Sequence, residues 1–255
     1  EQKKKLTDQQ NEKSGELAKF SKLMNQAVAT KQAYASNLTS QKAKKSALEM
    51  EKKAYEKNKI AASYRQMNQG FTAVRESMQQ GNAGYQAIYD AIYDQILVAA
   101  VQKQMDAAGI EGKVTTENVH TYLEKLSDAA EAIKNAAKEE AAAQTEKQVK
   151  QQLAQLPKNV KDAIDHPDKL KAYQTLLKNQ GQSAVAKKMT KKNLKSLYDI
   201  VEVRIPQINT ALANLKTEIL VAQKSLEQVE KSIKKAEDNY EKVEQGKITA
   251  AAAFG

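Results

Sequence analysis

The last quarter of the chain carries an apolar residue at alternating steps of three and four. The pattern runs without a polar interruption through Tyr198, Val201, Ile205, Ile208, Leu212, Leu215, Ile219, Ala222, Leu226, Val229, Ile233, Ala236, Tyr240 and Val243. An α-helix has 3.6 residues per turn, so a strict 3.5-residue repeat predicts a helix that supercoils with a partner. A helix lying on a globular core would need a broader apolar stripe. Pro206 lies off this seam and is expected to kink the helix or to mark its first turn.

A weaker seam in residues 1–80 supplies a candidate partner. It has no proline, and its apolar members are Phe20, Met24, Ala27, Tyr34, Leu38, Leu48, Tyr55 and Ala62. Lysine and glutamine occupy several of the intervening seam positions. If the first and last segments form an antiparallel hairpin, each seam is buried against the other.

The residues between these two segments have a different composition. Gly70, Gly81 and Gly84 interrupt the first pattern, and a dense apolar and aromatic block follows. We interpret part of that block as the core, or as a partner surface, of a separate helical tip: Tyr85, Ile88, Tyr89, Ile92, Tyr93 and Ile96. The predicted fold is all-α, a long antiparallel coiled-coil stalk (1–80 and 194–255) with a small helical-bundle tip (81–193) inserted between its arms.

Composition favours helices over sheets and excludes several kinds of chemical site. The 255 residues include no cysteine, no tryptophan, 3 phenylalanines and 3 prolines. Without cysteine, the chain has no disulfides, thiolate metal ligands or cysteine nucleophiles. The longest apolar run, residues 96–101, is far shorter than the roughly 20 residues that cross a bilayer.

Positive charge is concentrated in the first segment. The formal net charge is +10, and residues 1–80 carry +8 of it. Sequence-specific contacts to nucleic acid rely on arginine, and the chain has only Arg65, Arg75 and Arg204. We therefore expect no nucleic-acid partner, and we assign the charge to solubility or to a nearby anionic membrane surface.

Residues with catalytic or metal-binding potential are sparse. Glu117 and His120 have the Glu-x-x-His spacing of di-iron bundles, but the second motif that such bundles require is absent. His166 precedes Pro167 and fits a turn. Phosphate-binding glycine loops and nucleophile elbows are also absent from the sequence. We expect no enzyme activity, no cofactor and no metal site.

The basic opening segment, the helical insert and the heptad segment ending in Glu244–Gly255 together resemble a known class of protein. They are similar to extracytoplasmic coiled-coil segments of Gram-positive membrane proteins, namely FtsX-like ABC-transporter permeases and YhgE/Pip-type phage-infection proteins. The resemblance implies a piece of a longer protein, tethered to the cell membrane by flanking segments. It also implies a stalk and tip that receive or transmit a signal, without catalytic residues.

Three functional hypotheses remain open at this point. The first is an extracytoplasmic stalk-and-tip module that binds a protein partner or ligand at its tip. The second is a coiled-coil scaffold, free or cytoplasmic, that joins protein partners. The third is a secreted effector or pore-former, although the apolar hairpin usual in that class is missing. The sequence also allows a homodimer.

Overall fold

The computed structural model describes the backbone of residues 1–252 and the side chains of residues 1–246. Within that range the regular structure is entirely helical, which confirms the all-α fold class. Residues 253–255, at the end of the segment that carries the resemblance, lie outside the described residues.

Ten α-helices follow one another along the described chain, with a π-helical segment at Asp199–Arg204 before the last. The α-helices are α1 Gln2–Lys57, α2 Ile60–Ser77, α3 Ala83–Ala107, α4 Val119–Lys125, α5 Ser127–Gln155, α6 Val160–Asp165, α7 Pro167–Asn179, α8 Ser183–Lys188, α9 Lys191–Tyr198 and α10 Ile205–Ala252.

The chain divides into two compact units. The first, here called the helical pair, comprises Glu1–Asn58 and Arg204–Gly255. The second, the inserted domain, is Lys59–Val203. These boundaries differ from those expected at residues 80 and 194, because α1 ends at Lys57. Lys59 then adopts a left-handed backbone conformation, with φ of 53°, before α2 begins.

In the helical pair, α1 and α10 run antiparallel. Early residues of α1 meet late residues of α10, since Lys31 Nζ lies 3.3 Å from Glu230 Oε1. Later along α1, Lys52 Nζ donates to Asn209 Oδ1 at 2.9 Å. Residue numbers on α10 therefore decrease as those of their partners on α1 increase, which is the order of an antiparallel pair.

The α10 seam faces the pair interface along its described length. Every member from Ile205 to Val243 is buried or half-buried, and Ile208, Leu215 and Ala222 are the most enclosed. Aliphatic seams of this kind release water from both helices when they pair.

The α1 seam is partly polar. Leu38 is its one buried residue, and Lys31, Gln41 and Lys45 are half-buried beside it. Lysine can cover apolar surface with its methylene stem while its ammonium group stays in water. This explains how a seam with so few large apolar residues still packs along α10.

Four residues that the sequence patterns single out lie elsewhere than expected. Tyr34 is exposed, and Ala62 is an exposed residue of α2 rather than part of the first arm. Tyr198 and Val201 belong to the inserted domain, where Tyr198 packs against a buried cluster. The π-helical segment changes the helical phase just before α10, so a uniform heptad count does not carry through it.

The inserted domain has two buried clusters. Cluster A consists of Phe71, Met78, Val149, Leu156, Val160, Ala163, Leu170, Tyr173, Leu177, Ala186, Met189 and Leu194. Cluster B consists of Leu97, Val101, Met105, Val114, Val119, Leu123 and Ala137. Helix α5 connects them, because Ala137 belongs to one cluster and Val149 to the other.

Helix α5 carries one row of buried side chains, three of them small. Ala137, Ala141, Thr145 and Val149 recur every four residues and are buried, so they form one row along the helix. The buried Thr145 hydroxyl donates to the Ala141 carbonyl at 2.6 Å, which satisfies it without another helix.

Candidate interaction surface

The tyrosine and isoleucine block of α3 is divided between the two clusters. Tyr85 and Ile88 are partly buried against cluster A. Tyr93 and Ile96, about two turns further on, pack against cluster B. The two remaining members, Tyr89 and Ile92, are half-buried. The block therefore contributes to both cores while leaving some of its aromatic surface accessible.

Two tyrosines of this block form a stack. The rings of Tyr89 and Tyr93 are 6.0 Å apart between centroids and nearly parallel, at 8°. Partial burial is the main cause that raises the pKa of Tyr93, and the neighbouring Tyr89 and Asp94 add to it. Half-buried tyrosines offer apolar area and a hydroxyl together, which suits them to protein interfaces.

A cavity lies beside cluster A, lined by α2, α7, α8 and the residue that follows α8. Its volume is about 340 Å³. The lining residues are Ser63, Gln66, Met67, Gly70, Tyr173, Ala184, Val185, Lys188 and Met189. The lining contains one cation and no carboxylate.

Tyr173 contributes a buried ring and an unpaired hydroxyl to this cavity. Its ring packs against Phe71 at 4.5 Å between centroids, and the residue is only 3% exposed. Within the described residues its hydroxyl has no hydrogen-bond partner, and burial of the residue raises its pKa. The hydroxyl oxygen is not among the fully enclosed polar atoms, so it is open to the cavity and can donate to what enters it.

Gly70 lies within α2, rather than ending the first arm as its position in the sequence suggests. A Cβ atom at this position would lie 3.0 Å from the Tyr173 hydroxyl oxygen. Glycine inside a helix costs about 1 kcal/mol relative to alanine. The close approach of the tyrosine hydroxyl gives a steric reason for accepting that cost.

Hydrogen bonds hold the α8 side of the cavity in place. Gln174 on α7 donates from Nε2 to the Met189 carbonyl at 2.6 Å. Asn193 donates from Nδ2 to the Lys188 carbonyl at 3.0 Å, and its own backbone N–H is capped by the Thr190 hydroxyl. The segment that carries Lys188 and Met189 is therefore tied to both α7 and α9.

Sequence reasoning did not identify this cavity. Its residues come from three helices that are distant in the chain, and most are ordinary polar or aliphatic residues. Gly70 was the one available signal, because an isolated glycine in a helical pattern often marks a close packing contact.

Two of the three arginines have intramolecular partners. Arg75 donates from Nη1 to the Leu153 and Leu156 carbonyls, at 2.8 and 3.3 Å, near the end of α5. Arg204 forms a bidentate pair with Glu51, with both N···O distances at 2.7 Å. Hydrogen bonds from Arg204 and then Tyr55 lower the pKa of Glu51 to about 2.

Neither histidine lines the cavity. His120 is exposed, and His166 Nδ1 lies 2.9 Å from Asp162 Oδ1 at the turn between α6 and α7. Across the described residues, no cluster of three or more histidine or acidic side chains is arranged to hold a metal ion. None of the helices in that range combines the length and the hydropathy needed to cross a bilayer.

Comparisons of this chain with protein-family models, with curated proteins and with solved structures give no match.

Proposed function

We propose that this chain is a non-enzymatic interaction or sensing module of a bacterial membrane protein, outside the cytoplasm and tethered by flanking membrane segments. The parent protein in this proposal is a transporter-like permease of a Gram-positive bacterium. The helical pair serves as a stalk, and the inserted domain receives a protein partner or ligand.

The observation that carries the proposal is the antiparallel pairing of α1 and α10. Near the two ends of the chain, Lys13 Nζ lies 3.3 Å from the place where a Cβ atom on Gly246 would be. The chain thus leaves along one helix and returns along its neighbour. A module inserted between two consecutive membrane segments needs this kind of return path.

The inserted domain offers more varied surface for recognition than the helical pair. It has a stacked tyrosine pair and a cavity with an unpaired hydroxyl, whereas the outer face of α10 is mainly lysine, glutamate and glutamine. Partners are recognised through shape and aromatic anchors more than through a repetitive charged surface. This favours the inserted domain as the binding unit.

Cysteine labelling in intact cells tests the location. This chain contributes no cysteine, so a single Gln228→Cys substitution at an exposed position of α10 gives one reactive thiol. In the full-length protein, with any other cysteines replaced, we expect a membrane-impermeant maleimide to label this thiol before lysis. A cysteine on a known cytoplasmic protein serves as the control. Labelling of Gln228→Cys only after lysis would reject the extracytoplasmic location.

One observation favours the alternative, a scaffold that joins protein partners. The helical pair leaves large apolar side chains in water, including Leu23, Met50, Leu220 and Val221, which are 52–68% exposed. Apolar residues on an outer helix face can pair with a further helix. Labelling confined to lysed cells, together with concentration-dependent oligomers, would support this scaffold instead.

A further inference from the structure

We propose that the cavity between α2, α7 and α8 binds a small molecule with an apolar tail and an anionic, hydrogen-bond-accepting head, such as a medium-chain carboxylate. This inference does not depend on the proposed function, because it rests on the interior of the inserted domain alone.

The size and lining of the cavity suit an apolar tail. Its volume of about 340 Å³ lies near the lower end of ligand-binding cavities, which span roughly 300–1,000 Å³. Met67, Met189, Ala184 and Val185 are the aliphatic residues of its lining. Methionine is flexible and polarisable, so its side chain adapts to ligands of slightly different shape.

The polar groups of the cavity select an anionic acceptor. Among the described residues, the hydroxyl of Tyr173 is a donor without a protein partner, on a residue that is 3% exposed. Lys188 is the single charged residue in the lining and is exposed, so it supplies a cation at the solvent side of the cavity. A carboxylate bound there accepts from a hydroxyl that has no protein partner and pairs with a cation, whereas an amine would be repelled by Lys188.

The local structure keeps this donor available. Gly70 leaves space where a larger residue would press on the Tyr173 hydroxyl. The hydrogen bonds from Gln174 and Asn193 hold the segment that carries Met189 and Lys188. The site is therefore preorganised, and binding does not have to order its walls.

Calorimetric titration of the whole chain with decanoate tests this inference. The comparison ligands are butyrate, which lacks the long tail, and decylamine, which reverses the charge of the head. We expect saturable binding of decanoate below its micelle concentration, weaker binding of butyrate, and no binding of decylamine to this site.

Four substitutions identify the site. Tyr173→Phe removes only an unpaired hydroxyl, so the domain should fold normally while decanoate binds roughly tenfold more weakly. Lys188→Glu should weaken binding at least as much, and Lys187→Glu, on the adjacent exposed residue outside the cavity, should not. Val185→Trp, at a lining residue that is 48% exposed, should block the cavity.

Three results would overturn the inference. One is the absence of saturable decanoate binding to the wild-type chain. Another is equal binding of decanoate and decylamine, because the polar groups would then have no role. The third is decanoate binding that survives both Val185→Trp and Lys188→Glu, with helicity unchanged by circular dichroism, because the ligand would then occupy another place.

Discussion

At the scale of single residues, Lys59 carries the backbone irregularity that separates α1 from α2. Its φ of 53° is unusual for a residue with a side chain. A left-handed conformation at a non-glycine residue costs of order 1–3 kcal/mol, and glycine adopts it freely. The sequence offers no glycine or proline here, so pattern alone predicts an uninterrupted first arm.

We therefore expect Lys59→Gly to raise the free energy of unfolding by about 1 kcal/mol. The matched control is Lys53→Gly, at an exposed position within α1, where glycine should lower stability by about 1 kcal/mol. Thermal and urea unfolding of both variants measures the difference. A loss of stability in Lys59→Gly as large as that in Lys53→Gly would show that residue 59 is helical.

Glu51 and Arg204 provide a prediction about pH. The pKa of Glu51 is lowered from 4.5 to about 2 by its bonds to Arg204 and Tyr55. A carboxyl group with a lowered folded-state pKa stabilises the protein fully above its unfolded-state pKa. The stabilisation is then lost as the pH falls from 4.5 toward about 2.

Replacing Glu51 with glutamine should accordingly lower the melting temperature at neutral pH and have little effect near pH 2. Glu49→Gln is the control, because Glu49 pairs only with Lys45, one turn away on the same helix. Melting temperatures measured across this pH range compare the two variants. A difference between Glu51→Gln and wild type that does not change with pH would contradict the role given to the Glu51–Arg204 pair.

At the scale of helices, residues inside and outside the strict repeat on α10 differ in exposure. Leu215 belongs to the seam and is 8% exposed, while Leu220, on the same helix, is 52% exposed. Upstream of α10, the π-helical segment changes the number of residues per turn, so Tyr198 and Val201 lie outside the helical pair. Pro206 lies in the first turn of α10, directly after that segment, where the absence of its N–H costs little.

These two leucines test the seam with identical chemistry. Leu215→Ala removes buried methyl groups and should cost roughly 2–5 kcal/mol. Leu220→Ala should change stability by less than about 0.5 kcal/mol, since its side chain is largely in water. Chemical denaturation gives both values, and equal losses would mean that the buried face of α10 has been assigned wrongly.

Helices of the inserted domain were harder to predict from the sequence. The apolar block of α3 was recognisable by its density. The buried row of Ala137, Ala141 and Thr145 was not, because alanine and threonine are equally common on exposed helix faces. Neither their burial nor the cavity beside Tyr173 follows from local periodicity, since both depend on which helices meet in three dimensions.

At the scale of the whole molecule, the chain order places residues 59–203 as an insertion between two helices that pair with each other. The all-α class followed from composition and from the heptad repeat. The positions of the unit boundaries could not be predicted in this way. They depend on Lys59 and on the segment Asp199–Arg204, where the helical phase changes without a strong sequence signal. The proposed function rests on this insertion, since it requires both ends of the inserted domain to connect to one antiparallel pair.

The most direct test of that claim is the distance between α1 and α10 within one chain. The Lys31–Glu230 contact places Lys22 opposite Asp238, and both are exposed. Spin labels at Lys22 and Asp238 should therefore be separated by the distance between the two helix axes, about 10 Å, plus the length of the two label side chains. Labels at Lys22 and Lys216 should be farther apart, by about 30 Å along the helix axis.

The distances are measured by double electron–electron resonance. We expect the short Lys22–Asp238 distance to stay unchanged when the doubly labelled chain is refolded with a large excess of unlabelled chain. That result would establish the pairing within a single molecule. A Lys22–Asp238 distance longer than that of Lys22–Lys216, or a short distance that disappears on dilution with unlabelled chain, would contradict the account.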